Sequence, residues 1–123
     1  MANILVVDDE VHIRKLYEEF FGRDNHAVMS AATAQEAFDI MAGNSFDLVI
    51  LDVELKNESG LQILKNLKTE YPEIPVVLNS AYSIYKSDFG SWLADAYVLK
   101  SSDLEPLKEK IDELIGISCK KTK

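Results

Sequence analysis

Ile4-Leu5-Val6-Val7-Asp8-Asp9 is a run of four apolar residues that ends in two carboxylates. The pattern recurs twice along the chain. Leu48-Val49-Ile50-Leu51 ends in Asp52, and Tyr97-Val98-Leu99 ends in Lys100. A strand buried on both faces reads as an unbroken apolar run, and the ligands of open α/β sheets gather beyond the carboxyl ends of the strands. If the three runs are neighbouring parallel strands, three carboxylates and one ammonium face a common crevice. That is a metal and phosphate site in outline.

Outward from these runs, helix-like and strand-like patterns alternate. Residues 11–21 place Ile13, Leu16, Tyr17 and Phe20 at helical spacing, and Gly22 is positioned to end that helix. Residues 27–31 read as a second strand. Thr33 with Glu36 forms a capping-box pattern before a helix whose apolar face is Ala34, Ala37, Phe38 and Met41. Residues 46–51 form the third strand. Ser59-Gly60 opens a helix bearing Leu61, Leu64 and Leu67, and Tyr71-Pro72 ends it. Residues 74–78 are the fourth strand, 83–92 a fourth helix with Gly90 inside it, and 96–99 the fifth strand. Asp103 caps a fifth helix, with Pro106 in its first turn and Leu107, Ile111 and Leu114 on one stripe. Five strand–helix units joined by right-handed crossovers give an α/β fold, a parallel sheet with helices on both faces.

Composition narrows the function. The 123 residues suffice for one core and are too few for two. We expect one domain over residues 1–118 and a short basic tail over 119–123. An apolar content of 47% argues against disorder. A formal net charge of −8 disfavours a nucleic-acid backbone as partner. Cys119 is the only cysteine, so no intrachain disulfide is possible and a reducing compartment fits. No stretch approaches the roughly 18 apolar residues of a membrane span, and no basic leader precedes the first strand. A cytoplasmic protein without membrane attachment is the simplest expectation.

The strand ends carry the chemistry. Neighbouring strands lie about 4.8 Å apart, so three carboxylates on adjacent ends repel unless protons or a cation intervene. Mg²⁺ fits, being a hard ion that takes oxygen ligands and keeps several waters. Phosphoryl transfer then requires a nucleophile in line, neutralised charge and a group to hold a phosphate oxygen. Asp52 is the nucleophile candidate, since carboxylates form acyl phosphates. Asp8 and Asp9 would hold the metal, Lys100 a phosphate oxygen, and the Ser80 hydroxyl would donate to the same group. Taken singly, each signal is bland. An Asp-Asp pair after a strand is usually a cap or a solvated turn, a lone serine a turn hydroxyl, and a tyrosine in an apolar run part of the core. His12 and His26 lack partners at zinc-ligand spacing and read as surface or packing residues.

Together the fragments resemble one family. They are Val6-Val7-Asp8-Asp9-Glu10, His26-Ala27-Val28, Glu36-Ala37-Phe38, Phe46-Asp47-Leu48-Val49-Ile50-Leu51-Asp52, Ser59-Gly60, Asn79-Ser80-Ala81 and Ala96-Tyr97-Val98-Leu99-Lys100. Their order and spacing resemble a response-regulator receiver domain, the phosphoacceptor module of two-component signalling. The resemblance implies a doubly wound, flavodoxin-like (βα)5 sandwich with strand order 2-1-3-4-5. It implies that Asp52 takes a phosphoryl group from a histidine kinase or a histidine phosphotransfer protein. It implies Mg²⁺ on Asp9 and Asp52, with Asp8 acting partly through water and the backbone carbonyl of Glu54 as a further ligand. Ser80 and Tyr97 match the switch pair that biases the face of the fourth helix, fifth strand and fifth helix. Glu54 and Tyr82 match positions whose side chains tune dephosphorylation, with Tyr82 controlling access to the phosphoryl group. Such a domain catalyses only its own phosphorylation and dephosphorylation. Its output would pass to a downstream protein target or onward by phosphotransfer, from a monomer or weak dimer.

Two positions depart from the family pattern. The family usually carries proline after the lysine, often behind a cis bond, whereas Ser101 follows Lys100 here. We expect the cis bond to persist so that Lys100 still points inward, at a cost of roughly 2.5–4 kcal/mol. Lys56 stands where the family often has proline, which leaves the loop after Asp52 less restricted. Other readings are a receiver cut from a larger regulator or hybrid kinase, an aspartyl-phosphate phosphatase, and a flavin-binding module. The phosphatases typically carry Asp-x-Asp after the first strand, whereas this pair is adjacent. Acids at that position would also repel the phosphate of a flavin nucleotide.

Overall fold

Unbroken apolar runs build the centre of the sheet. In the computed structural model, which describes residues 2–55, 58–80, 94–101 and 103–121, the strands are β1 (Asn3–Val7), β2 (Ala27–Ala31), β3 (Leu48–Asp52), β4 (Val76–Ser80) and β5 (Ala96–Leu99). They pair in parallel in the order β2-β1-β3-β4-β5, as the resemblance implies. The helices described are α1 (Val11–Gly22), α2 (Ala34–Gly43), α3 (Gly60–Glu70) and α4 (Glu105–Lys121). Residues 83–92, expected to be helical, lie outside the described residues. So do Lys56 and Tyr82, and the terminal helix takes the label α4.

Successive residues of a strand face opposite sides of the sheet. Leu5, Val7, Val49, Leu51, Val76 and Leu78 therefore share one face and bury Ala37 and Met41 of α2 with Ile63, Leu64 and Leu67 of α3. Ile4, Val6, Leu48, Ile50 and Val77 share the other and bury Tyr17 and Phe21 of α1 with Leu107 and Ile111 of α4. Covering both faces explains why the central strands carry no polar alternation.

Helix ends follow local chemistry. The Thr33 hydroxyl accepts from the Glu36 amide at 3.1 Å, and the Glu36 carboxylate reaches back to the Ala32 amide at 2.8 Å. Ser59 caps α3 by accepting from the Gln62 amide at 3.3 Å. Asp103 accepts from the Glu105 amide at 3.1 Å at the head of α4.

Two expectations need correction. Leu16 is not on the buried stripe of α1: it is 44% exposed, whereas Phe21 is fully buried. The stripe runs Ile13, Tyr17, Phe20, Phe21, and Leu16 lies about 100° away from Tyr17 around the helix. Strands β3 and β4 begin two residues later than expected and also end later, so Asp52, Asn79 and Ser80 belong to the strands. Gly22 is the last residue of α1, as expected. The left-handed residue comes after the helix at Asn25, φ 66°, with the His26 amide bonded to the Phe21 carbonyl at 3.3 Å and the Asn25 amide to the Gly22 carbonyl at 3.1 Å. Asparagine tolerates the left-handed region because its short side chain bonds locally.

The start of α3 is pressed onto the end of β3. A Cβ built on Gly60 would lie 2.5 Å from the Val53 Cα, 2.7 Å from the Asp52 carbonyl oxygen and closer still to the Val53 carbonyl oxygen. The Gly60 amide uses that proximity to bond the Val53 carbonyl at 3.1 Å. Backbone cannot retreat as a flexible side chain can. Gly60→Ala should therefore lower unfolding stability by about 1–3 kcal/mol, the usual range for overpacking, as measured by urea denaturation.

Candidate functional site

The register places the polar strand ends in one row. Val7 pairs with Leu51 and Asp52 with Asn79, and strand alternation puts Asp8, Asp52 and Asn79 on the face covered by α1 and α4. Asp8 and Asp52 are 2% and 3% exposed. Lys100, following β5, reaches both: its Nζ lies 3.1 Å from Asp8 Oδ2 and 3.2 Å from Asp52 Oδ2.

Each buried carboxylate divides its two oxygens in the same way. Asp8 Oδ1 accepts from the Glu10 amide at 2.9 Å, and Asp52 Oδ1 accepts from the Glu54 amide at 3.0 Å. Both are local side-chain-to-backbone turns that fix the carboxylate plane. The second oxygen is thereby left to face Lys100. Arg14 of α1 donates to the Asp8 carbonyl at 2.6 Å and holds the loop from below.

Asp9 completes the cluster. One carboxylate oxygen from each of Asp8, Asp9 and Asp52 lies within 4.8 Å of the others. The three carboxylates and the Lys100 ammonium lie together in a largely buried place. Oxygen donors so grouped suit a hard divalent cation such as Mg²⁺ better than a thiolate- or imidazole-seeking metal.

Burial pushes the Asp52 carboxyl above its ordinary value, and nearby Asp8 adds to the rise. The Glu54 amide and Lys100 oppose it without reversing it. Burial alone would lower Lys100, but the fields of Asp8 and Asp52 and the hydrogen bonds to them raise it instead. Burial likewise raises Tyr17, which feels Lys100, Asp8 and Asp52.

Ser80 is fully buried on the opposite face, where its hydroxyl donates to Glu54 Oε1 at 3.2 Å. Tyr97 shares that face, half-buried against the cluster formed with α2 and α3. The expected cis bond is overturned: the Lys100–Ser101 bond is trans, while Lys100 still reaches the site. Four methylenes give the ammonium the necessary reach, so the backbone avoids the cost of a non-proline cis bond.

Sequence reasoning placed Tyr17 correctly on the buried stripe of α1 but missed Asn79 and the partner of the Tyr17 hydroxyl. The Asn79 amide nitrogen donates to the Tyr17 hydroxyl at 2.6 Å, deep between α1 and β4. A polar residue inside Val76–Ser80 is itself a signal, hidden because the strand was expected to stop at Leu78.

With this geometry established, similarity to known proteins is decisive. Residues 4–112 match the response regulator receiver domain family. The chain belongs to that family. Among curated relatives, response regulator ArlR of Staphylococcus haemolyticus is 30% identical over 112 residues, 90% of this chain and 51% of ArlR. Sporulation initiation phosphotransferase F of Bacillus subtilis is 37% identical over 79 residues, 64% of each chain. This receiver thus spans about half to two thirds of these relatives. Among solved structures, response regulator TrrA of Thermotoga maritima, in complex with Mg(2+)-BeF, has a TM-score of 0.88 at 39% identity, covering 93% of this chain and 99% of that one. TrrA in complex with histidine kinase ThkA has a TM-score of 0.86 at the same identity. Among the described residues of the receiver, no helix is long and apolar enough to cross a membrane.

The raised Asp52 pKa has a stability consequence. The folded protein binds this proton more tightly than the unfolded chain, so stability falls as pH rises from the ordinary carboxylate value through the folded one. At neutral pH and without metal the full penalty is present. Asp52→Asn should therefore stabilise the metal-free receiver at pH 7, and the gain should shrink as the solution is acidified through that window. Urea denaturation across pH would show the opposite sign if Asp52 were instead stabilised by Lys100.

Proposed function

We propose that this receiver accepts a phosphoryl group on Asp52 from the phosphohistidine of a histidine kinase or a histidine phosphotransfer protein. The observation that carries the reading is the Lys100 ammonium held at 3.1 and 3.2 Å from two buried carboxylates, one of them Asp52. Asp52 Oδ2 attacks phosphorus, the P–N bond of the donor breaks, and the leaving imidazole takes up a proton. Lys100 follows the charge from the carboxylate to a phosphoryl oxygen. Asp8, Asp9, Asp52 and the backbone carbonyl of Glu54 would hold Mg²⁺, which neutralises charge that builds on the phosphoryl oxygens.

The relative solved with a histidine kinase supports the choice of donor, and the one solved with Mg(2+)-BeF supports the choice of metal. Ser80 and Tyr97 are the proposed switch. The Ser80 hydroxyl must leave Glu54 to reach a phosphoryl oxygen, and Tyr97 on the same face would respond by changing its burial. Tyr82 is proposed to govern access to the site. The acidic surface favours a downstream protein target over nucleic acid, with the receiver acting in the cytoplasm.

Incubation with acetyl phosphate and Mg²⁺, followed by intact mass, tests the chemistry. We expect one added phosphoryl group on wild type, none on Asp52→Asn, and none after chelation of the metal. Ser80→Ala should still be labelled but should lose phosphorylation-dependent partner binding. Unlabelled wild type under conditions that label another receiver would rule the proposal out.

A further inference from the structure

The strand order forces Lys100 to pass over Asn79. Lys100 follows β5, whereas its partner Asp52 ends β3 and its partner Asp8 follows β1. β4 lies between, and Asn79 is its residue in the row, paired in register with Asp52 on one side and Val98 on the other. Alternation puts Asn79 on the same face as Asp52 and Val98, the face across which the lysine side chain travels.

Asn79 is held in an unusual way for so buried a residue. Its amide nitrogen is committed to the Tyr17 hydroxyl at 2.6 Å, which fixes the orientation of the side chain. Its carbonyl oxygen is fully buried and has no hydrogen-bond partner among the described residues. An unpaired buried acceptor is destabilising, so an apolar residue would serve a purely structural role better. The neighbouring Lys100 is a cation with three donors, and two carboxylates occupy it in this state.

We propose that Asn79, oriented by Tyr17, is a positioning residue for Lys100, its side-chain carbonyl being a second acceptor for the ammonium. While the carboxylates are otherwise free, Lys100 bridges them. When Asp8 and Asp52 turn their oxygens to a cation, Lys100 yields part of that pairing, and Asn79 Oδ1 holds it over the site instead of releasing it to solvent. The pair thereby lowers the competition between Lys100 and the metal. This inference rests on the roles given above to Asp8, Asp52 and Lys100.

The test is Mg²⁺ titration of wild type, Tyr17→Phe, Asn79→Leu, Asn79→Thr and the Tyr17→Phe/Asn79→Leu double variant. Each titration is read by NMR of the lysine side chains, with thermal unfolding measured on the metal-free proteins. We expect Asn79→Leu to bind Mg²⁺ about tenfold more weakly, the effect of one lost hydrogen bond to a charged group. Tyr17→Phe should fall between it and wild type, and Asn79→Thr should recover part of the loss by restoring an oxygen. The double variant should be as stable as wild type or more so, because it removes both partners of a buried polar pair together with the orphaned carbonyl. The Mg²⁺-induced shift of the Lys100 signal should be altered in Asn79→Leu. Binding within about twofold of wild type in Asn79→Leu, with an unchanged Lys100 shift, would overturn the inference, as would weak binding matched by a loss of stability in the double variant. If Asn79→Leu does not fold, Tyr17→Phe decides on the same readouts. Failure of wild type itself to bind Mg²⁺ and take up phosphate would overturn the proposed function along with this inference.

Discussion

A single ammonium stands between two buried carboxylates, and the architecture of the receiver is arranged around that fact. Lys100 bridges Asp8 and Asp52 at about hydrogen-bond length. The two acids could not share so buried a row without it, because the cost of removing each from water is several kcal/mol. With Asp9 the cluster holds three carboxylates. Burial is the main cause of the rise at Asp52, whereas the fields of Asp8 and Asp52 raise Lys100 against the effect of its own burial. Oxygen donors grouped in this way suit a hard cation.

Such a site draws its rigidity from elsewhere. The sheet supplies it through residues that have no chemistry of their own. Ile4, Val6, Leu48, Ile50 and Val77 are packed to near-zero exposure beneath the row. The β3–α3 loop is secured at its far end by Gly60 against Val53, and in its middle by Glu58, whose carboxylate accepts from the Ala34 amide at the head of α2 at 2.9 Å. These contacts hold the loop that follows Asp52 against α2 and β3.

Much of this was legible from residue order. Asp8, Asp9, Asp52 and Lys100 announced themselves because a polar residue ending a long apolar run is costly unless it has a task. The boundaries of β3 and β4 were less legible for the same reason. Functional polar residues interrupt the apolar pattern, so Asn79-Ser80 read as loop when it is strand. Tyr17 fell on a helical apolar stripe and read as core, because periodicity reports which side of a helix is buried and not what its hydroxyl meets. Strand order came from family resemblance, since alternating strands and helices leave the order open. The Lys100–Ser101 bond was misjudged by giving the backbone a task that a flexible side chain performs.

The sheet order also sets a sequence of events during synthesis. β1 and β3, which bring Asp8, Asp9 and Asp52 together, are complete by residue 52, whereas Lys100 leaves the ribosome nearly fifty residues later. The nascent chain therefore lacks the Lys100 bridge between Asp8 and Asp52 until β5 has been made. Docking of β5 delivers that ammonium along with the ladder bonds to β4. Helix α4, which covers the same face, is made last, so the charge bridge and its cover both come from the end of the domain.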